Sequence, residues 1–256
     1  MNGKIWFISV LTLISLSMIV PSEAKLVDDL VLCFSFDEGK GDTVKDLSPE
    51  RNDGTIQGNP KWVNGKFGKA LYFDGSTWVV APHIPFDNRS FTVQMWVKPE
   101  MVSGEELVFS QNQSGTANLS LHFRIYSDSR IRMGFYSNDL DAPAGFVKKN
   151  EWHNLAFWFD VSDKSRKIYI DGEERASGTA TSAYLGTTGN TMIGRWEIGG
   201  GQYYHGAIDE VRVWHRPLSE DEIVDSMNMD SDKLMGAGPV ELEDKLAVMW
   251  SAIKIR

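Results

Sequence analysis

Over most of the chain the hydrophobic pattern has a period of two. It is clearest in Ser90–Pro99, where Phe91, Val93, Met95 and Val97 alternate with Thr92, Gln94, Trp96 and Lys98. Successive side chains of a strand point to opposite faces, so this run predicts a strand with one face in a core. Shorter strand-like runs lie at Leu30–Phe36, Lys69–Phe73, Trp78–Val80, Leu107–Ser110, Leu119–Tyr126, Arg130–Tyr136 and Trp152–Phe159. Lys167–Ile170 pairs with the last of these, and Asp171–Gly172 supplies a two-residue hairpin signal. The longest alternation, Gly206–Trp214, ends at Pro217. Ser219 followed three positions later by Glu222 is a capping box, which predicts a short helix over 218–227. Many short strands between turn residues predict one all-β sandwich or barrel.

The two ends break this pattern. Lys4, an apolar run from Ile5 to Val20 and a small-residue site before Lys25 read as a signal peptide over 1–24. A transmembrane anchor fits less well, because the run is short for a span and carries Thr12, Ser15 and Ser17. An exported, cell-surface or periplasmic protein without membrane insertion after cleavage is therefore expected, with its domain over 25–226. Residues 227–256 form the remaining segment, a polar linker to Pro239 and then an apolar stretch, Leu246–Ile253.

Composition narrows the function. The formal net charge of −9, with no block of Lys or Arg, argues against nucleic acid or an anionic membrane as partner. A single cysteine, Cys33, cannot form an internal disulfide, and its apolar strand context predicts a buried thiol. No two of the five histidines stand at the i,i+4 spacing of a helical metal site, and neither a nucleophile elbow nor a phosphate loop is present.

Five stretches in order carry a family resemblance: Phe36–Gly41 with Asp46 and Asn52–Gly54; Gly65–Gly75; Ser90–Pro99; Glu151–Ala156 with Ile168–Gly172; and Gly206–Ser219 with Glu222–Ile223. Together they resemble the laminin-G-like domains of the concanavalin A-like lectin/glucanase superfamily, over about residues 27–225. The resemblance implies an all-β jelly roll of two antiparallel sheets. It also implies a structural calcium where the first and last strands meet, with Glu38, Asp46 and Asp209 as its ligands. The alternative for these acids is that they cap turns by accepting backbone N–H groups.

Superfamily glycosidases set acids at alternate positions of one strand, which puts the carboxylates on one face. The acid clusters here, Asp139–Asp141 among them, read as loop, hairpin, helix or tail, so no enzyme activity is expected. A binding module for a carbohydrate or glycoconjugate is expected instead, the alternative being a protein-interaction or cell-surface scaffold domain. The aromatic loop Arg195–His205 supplies the candidate ligand contacts Trp196, Tyr203 and Tyr204, with a second loop at Tyr136–Asp141. The competing reading is that Trp196 and Tyr203 seal the rim of the core.

Overall fold

A computed structural model describes residues 25–102, 104–196, 198 and 202–236. The signal segment and the apolar stretch Leu246–Ile253 lie outside the described residues. The first six strands are β1 (Leu30–Phe34), β2 (Thr43–Val44), β3 (Gly54–Gln57), β4 (Lys61–Asn64), β5 (Lys69–Asp74) and β6 (Trp78–Ala81). The next six are β7 (Phe91–Pro99), β8 (Glu105–Asn112), β9 (Ser120–Tyr126), β10 (Ile131–Gly134), β11 (Asp139–Ala142) and β12 (His153–Phe159). The chain closes with β13 (Ser165–Ile170), β14 (Glu173–Thr179), β15 (Thr191–Ile193), β16 (Arg195–Trp196), β17 (Gln202–Tyr203) and β18 (His205–Trp214). Two helices follow, α1 (Glu220–Met227) and α2 (Ser231–Gly236).

Two antiparallel sheets make a jelly-roll sandwich. The first runs β14-β13-β12-β7-β18-β5-β4, with β1 also on β18; the second runs β11-β10-β9-β8-β15-β6-β3-β2. Phe91, Val93, Met95 and Val97 all enter the core, as their alternation predicts. The layers meet through aromatic rings: Phe123 of β9 stacks on Phe157 of β12 with centroids 4.1 Å apart. Asp171 and Gly172 both take positive φ, which gives the hairpin between β13 and β14 the turn its sequence signals.

The outer face of the first sheet is covered by the C-terminal helices over β7, β12 and β13. Gln94 donates to the Ile223 carbonyl at 2.9 Å, Trp96 to that of Met227 at 3.2 Å and Trp158 to that of Leu218 at 2.9 Å. Leu30, Cys33, Ala156, Tyr169, Trp214, Leu218, Ile223 and Leu234 form a second apolar cluster beneath the helices. The Cys33 thiol is buried there, and burial pushes it up to about 11. The capping box at Ser219 and Glu222 is formed.

Two features depart from the sequence pattern. The polar run beyond Met227 carries α2, whose Ser231 and Leu234 are buried. The alternation of β18 breaks at a bulge between Asp209 and Arg212. Ile208 and Val211, three apart, both reach the core, so Asp209 and Glu210 both stay out of it. Glu210 takes φ 53°, a left-handed conformation that costs a non-glycine residue about 1 kcal/mol. It is offset by a buried network. The Glu210 carboxylate pairs with Arg212 at 2.5 Å and accepts the Ser231 amide at 3.1 Å. Arg212 in turn donates to the carbonyls of Ser226 and Met229 at 2.6 and 2.7 Å.

A buried pair stripped of one partner leaves an uncompensated charge. Glu210→Ala is expected to lower unfolding free energy by about 3–5 kcal/mol in urea titrations, whereas Glu220→Ala on the exposed side of α1 should change it by about 0.5 kcal/mol or less.

Candidate functional site

The outer face of the second sheet is polar; the β16–β17 hairpin packs over β8, and a groove stays open beside it. On β9, Leu121, Phe123 and Ile125 point into the core, which sends His122, Arg124 and Tyr126 outward. On β10, Ile131 and Met133 point inward, leaving Arg132 and Gly134 outside. Register sets Arg132 opposite both Arg124 and Asp141, and Gly134 opposite both His122 and Asp139. Glycine is required at 134: a Cβ there would lie 2.0 Å from the His122 ring and 2.6 Å from Asp139 Oδ1. The bare backbone lets imidazole and carboxylate approach, His122 Nε2 to Asp139 Oδ1, at 3.6 Å.

These side chains line a groove of about 390 Å³ with Glu105, Tyr136, Ser137, Trp196 and Gln202. Both aromatic loops singled out in the sequence contribute to it. Tyr136 and Ser137 form the hairpin tip between β10 and β11 with φ values of 66° and 54°, the paired left-handed conformation that usually selects Asn-Gly. Strain of this kind gathers at binding sites, where it fixes a side chain in place.

The polar groups are tightly partnered. Arg124 pairs with Glu105 and donates to Gln202 Oε1 at 2.8 Å, and Gln202 donates back to Glu105 at 2.8 Å. Arg124 Nε donates to His122 Nδ1 at 3.0 Å. Burial, reinforced by Arg124 and Arg132, holds His122 well below its ordinary value, so the ring is neutral. Arg132 grips Asp141 through two bonds of 2.7 and 2.9 Å and keeps that carboxyl low. Burial raises Asp139 against the pull of Arg132 and Arg124.

Asp139 and Asp141 therefore sit on strand β11 with one residue between them, whereas the sequence reading put them in a loop. Two Asp and an Ala among its four residues have low β-propensity and give no clear strand pattern. Such a pair is the layout glycosidases use, but Arg132 and Arg130 occupy both oxygens of Asp141.

The three aromatic candidates separate. Trp196 is the floor of the groove: it is 8% exposed, donates its indole N–H to Asn112 at 2.6 Å, and carries the Arg124 guanidinium 4.3 Å from its ring. Tyr203 faces away, with Trp78 at 5.9 Å and Arg195 at 5.5 Å. Tyr204 is fully buried against Phe73 and donates to the Ala207 carbonyl, so it is a core residue. Tyr203 ends β17 and Tyr204 lies in the link to β18, where the chain turns it into the core. The groove's Arg124, Tyr126 and Arg132 escaped the sequence reading, although the alternation of Leu119–Tyr126 turns the first two outward, and Gln202 lies within the loop it singled out.

The acids named for calcium also separate. Asp46 accepts from the amides of Cys33 at 2.8 Å, Ser48 at 2.9 Å and Asn52 at 2.7 Å, and from the Ser48 hydroxyl at 2.7 Å. It holds a turn, the alternative reading of these acids. Glu38 accepts the Lys45 amide at 2.7 Å through one oxygen, and its other is buried without a partner. Asp209 accepts the amides of Lys66 and Phe67 at 2.8 and 3.0 Å through Oδ2, while its buried Oδ1 has no partner. Asp37 holds the other side of the same turn, accepting from Lys69 at 2.6 Å. A Cβ at Gly65 would meet the Phe67 and Lys69 carbonyl oxygens and Asp209 Oδ2 at 2.2, 2.5 and 2.6 Å, so several oxygens converge there. Among the described residues no three His, Cys, Asp or Glu side chains gather into a cage. A calcium here would take Asp209 with backbone carbonyls and water, a donor set that suits it.

A laminin G family model, described as the concanavalin A-like lectin/glucanases superfamily, matches residues 73–224. The chain belongs to that superfamily. Neuronal pentraxin-1 of Rattus norvegicus is 25% identical over 174 residues, which cover 64% of this chain and 40% of the pentraxin. The chain thus spans well under half of the curated relatives it matches. Among solved structures, domain 4 of a GH43 extracellular arabinanase from Geobacillus stearothermophilus, in complex with arabinotriose, has a TM-score of 0.61 and 22% identity. That likeness covers 77% of this chain and 98% of the arabinanase domain. The binding domain of botulinum neurotoxin DC in complex with rat synaptotagmin II gives a TM-score of 0.61 at 14% identity, over 80% of this chain and 52% of the toxin chain. No helix among the described residues is long and apolar enough to cross a membrane.

Burial, with Glu210 and Asp37 adding to it, raises the Asp209 carboxyl to about 8 against the Lys66 and Phe67 amides. Unfolded, it ionises near its ordinary value of 3.8. Between these values the native state keeps a proton that the unfolded chain has shed, so stability falls as pH rises. In chelator, the urea midpoint is expected to drop from pH 4 to pH 8, and Asp209→Asn should flatten that slope.

Proposed function

We propose that the chain is an exported, non-catalytic binding module whose ligand is a carbohydrate or glycoconjugate held in the groove between β8 and β11. One observation carries this reading. The groove on the second sheet gathers two tyrosines and a tryptophan with planar Arg, Gln, Asp and Glu groups on rigid, paired strands. Aromatic rings pack on the apolar face of a sugar, and planar side chains match its hydroxyls with both donors and acceptors. The arabinanase domain solved with arabinotriose gives a precedent on this fold. Tyr126 and Tyr136 supply the rims, Trp196 the floor, and Arg132, Asp139 and Gln202 the polar contacts.

A structural calcium at Asp209 belongs to the same reading. It would pin the turn after β4 to the last strand in a domain with no disulfide. The second reading, a protein or cell-surface partner, is supported by the neurotoxin binding domain in complex with synaptotagmin. A hydrolase would need Asp141 free of Arg132.

The test is a panel of polysaccharides and proteins titrated with the full chain. Tyr126→Ala and Tyr136→Ala are each expected to weaken glycan binding about tenfold, or about 1.4 kcal/mol, with the melting temperature unchanged. Glycan binding that ignores both substitutions would sink the groove assignment, and release of reducing sugar would sink the non-catalytic reading. For the metal, saturating calcium should raise the melting temperature of wild type but not of Asp209→Asn.

A further inference from the structure

The groove cancels its own charge. Glu105 and Asp139 stand against Arg124 and Arg132 in its lining, and Asp141 and Arg130 add one of each sign at its edge. Every one of these cations already has an acidic partner. Arg124 is paired with Glu105; Arg132 with Asp141 through two bonds and with Asp139 at 3.3 Å; Arg130 with Asp141 at 2.8 Å. His122 adds nothing, since its Nδ1 lone pair accepts the Arg124 N–H.

This arrangement discriminates between classes of sugar. A sulfate or a carboxylate on a ligand would have to displace a carboxylate that strand register already sets beside its guanidinium, as Asp141 is set directly opposite Arg132. It would also approach a chain of net charge −9. A hydroxyl needs no exchange, because it donates to a remaining carboxylate lone pair and accepts from a remaining guanidinium N–H. Resting on the glycan reading above, we infer that the groove selects uncharged, hydroxyl-rich glycans and rejects sulfated, uronic and sialylated ones, through the internal pairing of its arginines. Asp141 is then a specificity-determining residue: it withholds Arg132 and Arg130 from anions.

The test titrates the full chain with neutral polysaccharides (arabinan, galactan, mannan) and with acidic ones (polygalacturonate, heparin), each at low and high salt. Neutral binding should change less than about twofold with salt, and acidic binding should be weaker by about tenfold or more. Asp141→Asn keeps the shape and removes the charge, so it should gain salt-sensitive binding to the acidic set. Circular dichroism checks its fold, and Glu105→Gln, which releases Arg124, serves if it is unfolded. An acidic preference in wild type, or no gain in either folded variant, overturns the selectivity and leaves the glycan reading standing. Capture of neither class overturns the glycan reading and this inference with it.

Discussion

The bulge in β18 is the constraint on which the other parts of the molecule depend. This strand lies at the centre of the first sheet, with β7 along one edge and β5 then β1 along the other. One extra residue at Asp209–Glu210 turns two carboxylates out of the core at the point where those partners change. Asp209 reaches the turn after β4, and Glu210 with Arg212 reaches the C-terminal helices. A regular strand would send every second side chain into the apolar interior, where an unpaired carboxylate is not tolerated. The irregularity thus ties the turn after β4 and the C-terminal helices to the middle strand without a disulfide.

The groove depends on the same rule of alternation applied to the other sheet. Each outward residue of β9 and β10 is fixed by inward neighbours packed against the first sheet, with Phe123 clamped between Phe109 and Phe157. Arg124 stacks on Trp196, and the Glu105–Arg124–Gln202 ring fixes its head. Long side chains that are already ordered have less freedom left to lose, which would favour binding at the proposed groove.

Much of this was legible in the sequence. The strand faces of β7, the hairpin at Asp171–Gly172, the cap at Ser219 and the burial of Cys33 follow from local periodicity and turn chemistry. What escaped depends on long-range geometry. The bulge leaves Gly206–Trp214 looking regular, because Asp209 and Glu210 read as one polar position and its neighbour. The short β11 has an acid–Leu–acid sequence that suits a loop as well as a strand. Aromatic content drew attention to Tyr203 and Tyr204, yet only the packing of the link between β17 and β18 shows that one faces Trp78 and the other the core. Asp46 and Asp209 look alike as acids in a family motif. They differ in the number of amides pointed at them, which no spacing rule reveals.

The covered face has a further consequence. Trp214 holds the Leu26 carbonyl at 2.6 Å, and Leu234 of α2 packs into the same apolar cluster. Residues 25 and 236 therefore both leave the sandwich from the side opposite the groove. A domain built this way can be attached through that side without covering the groove. The proposed binding groove would then point outward, because it and these two segments occupy opposite sides of one double layer.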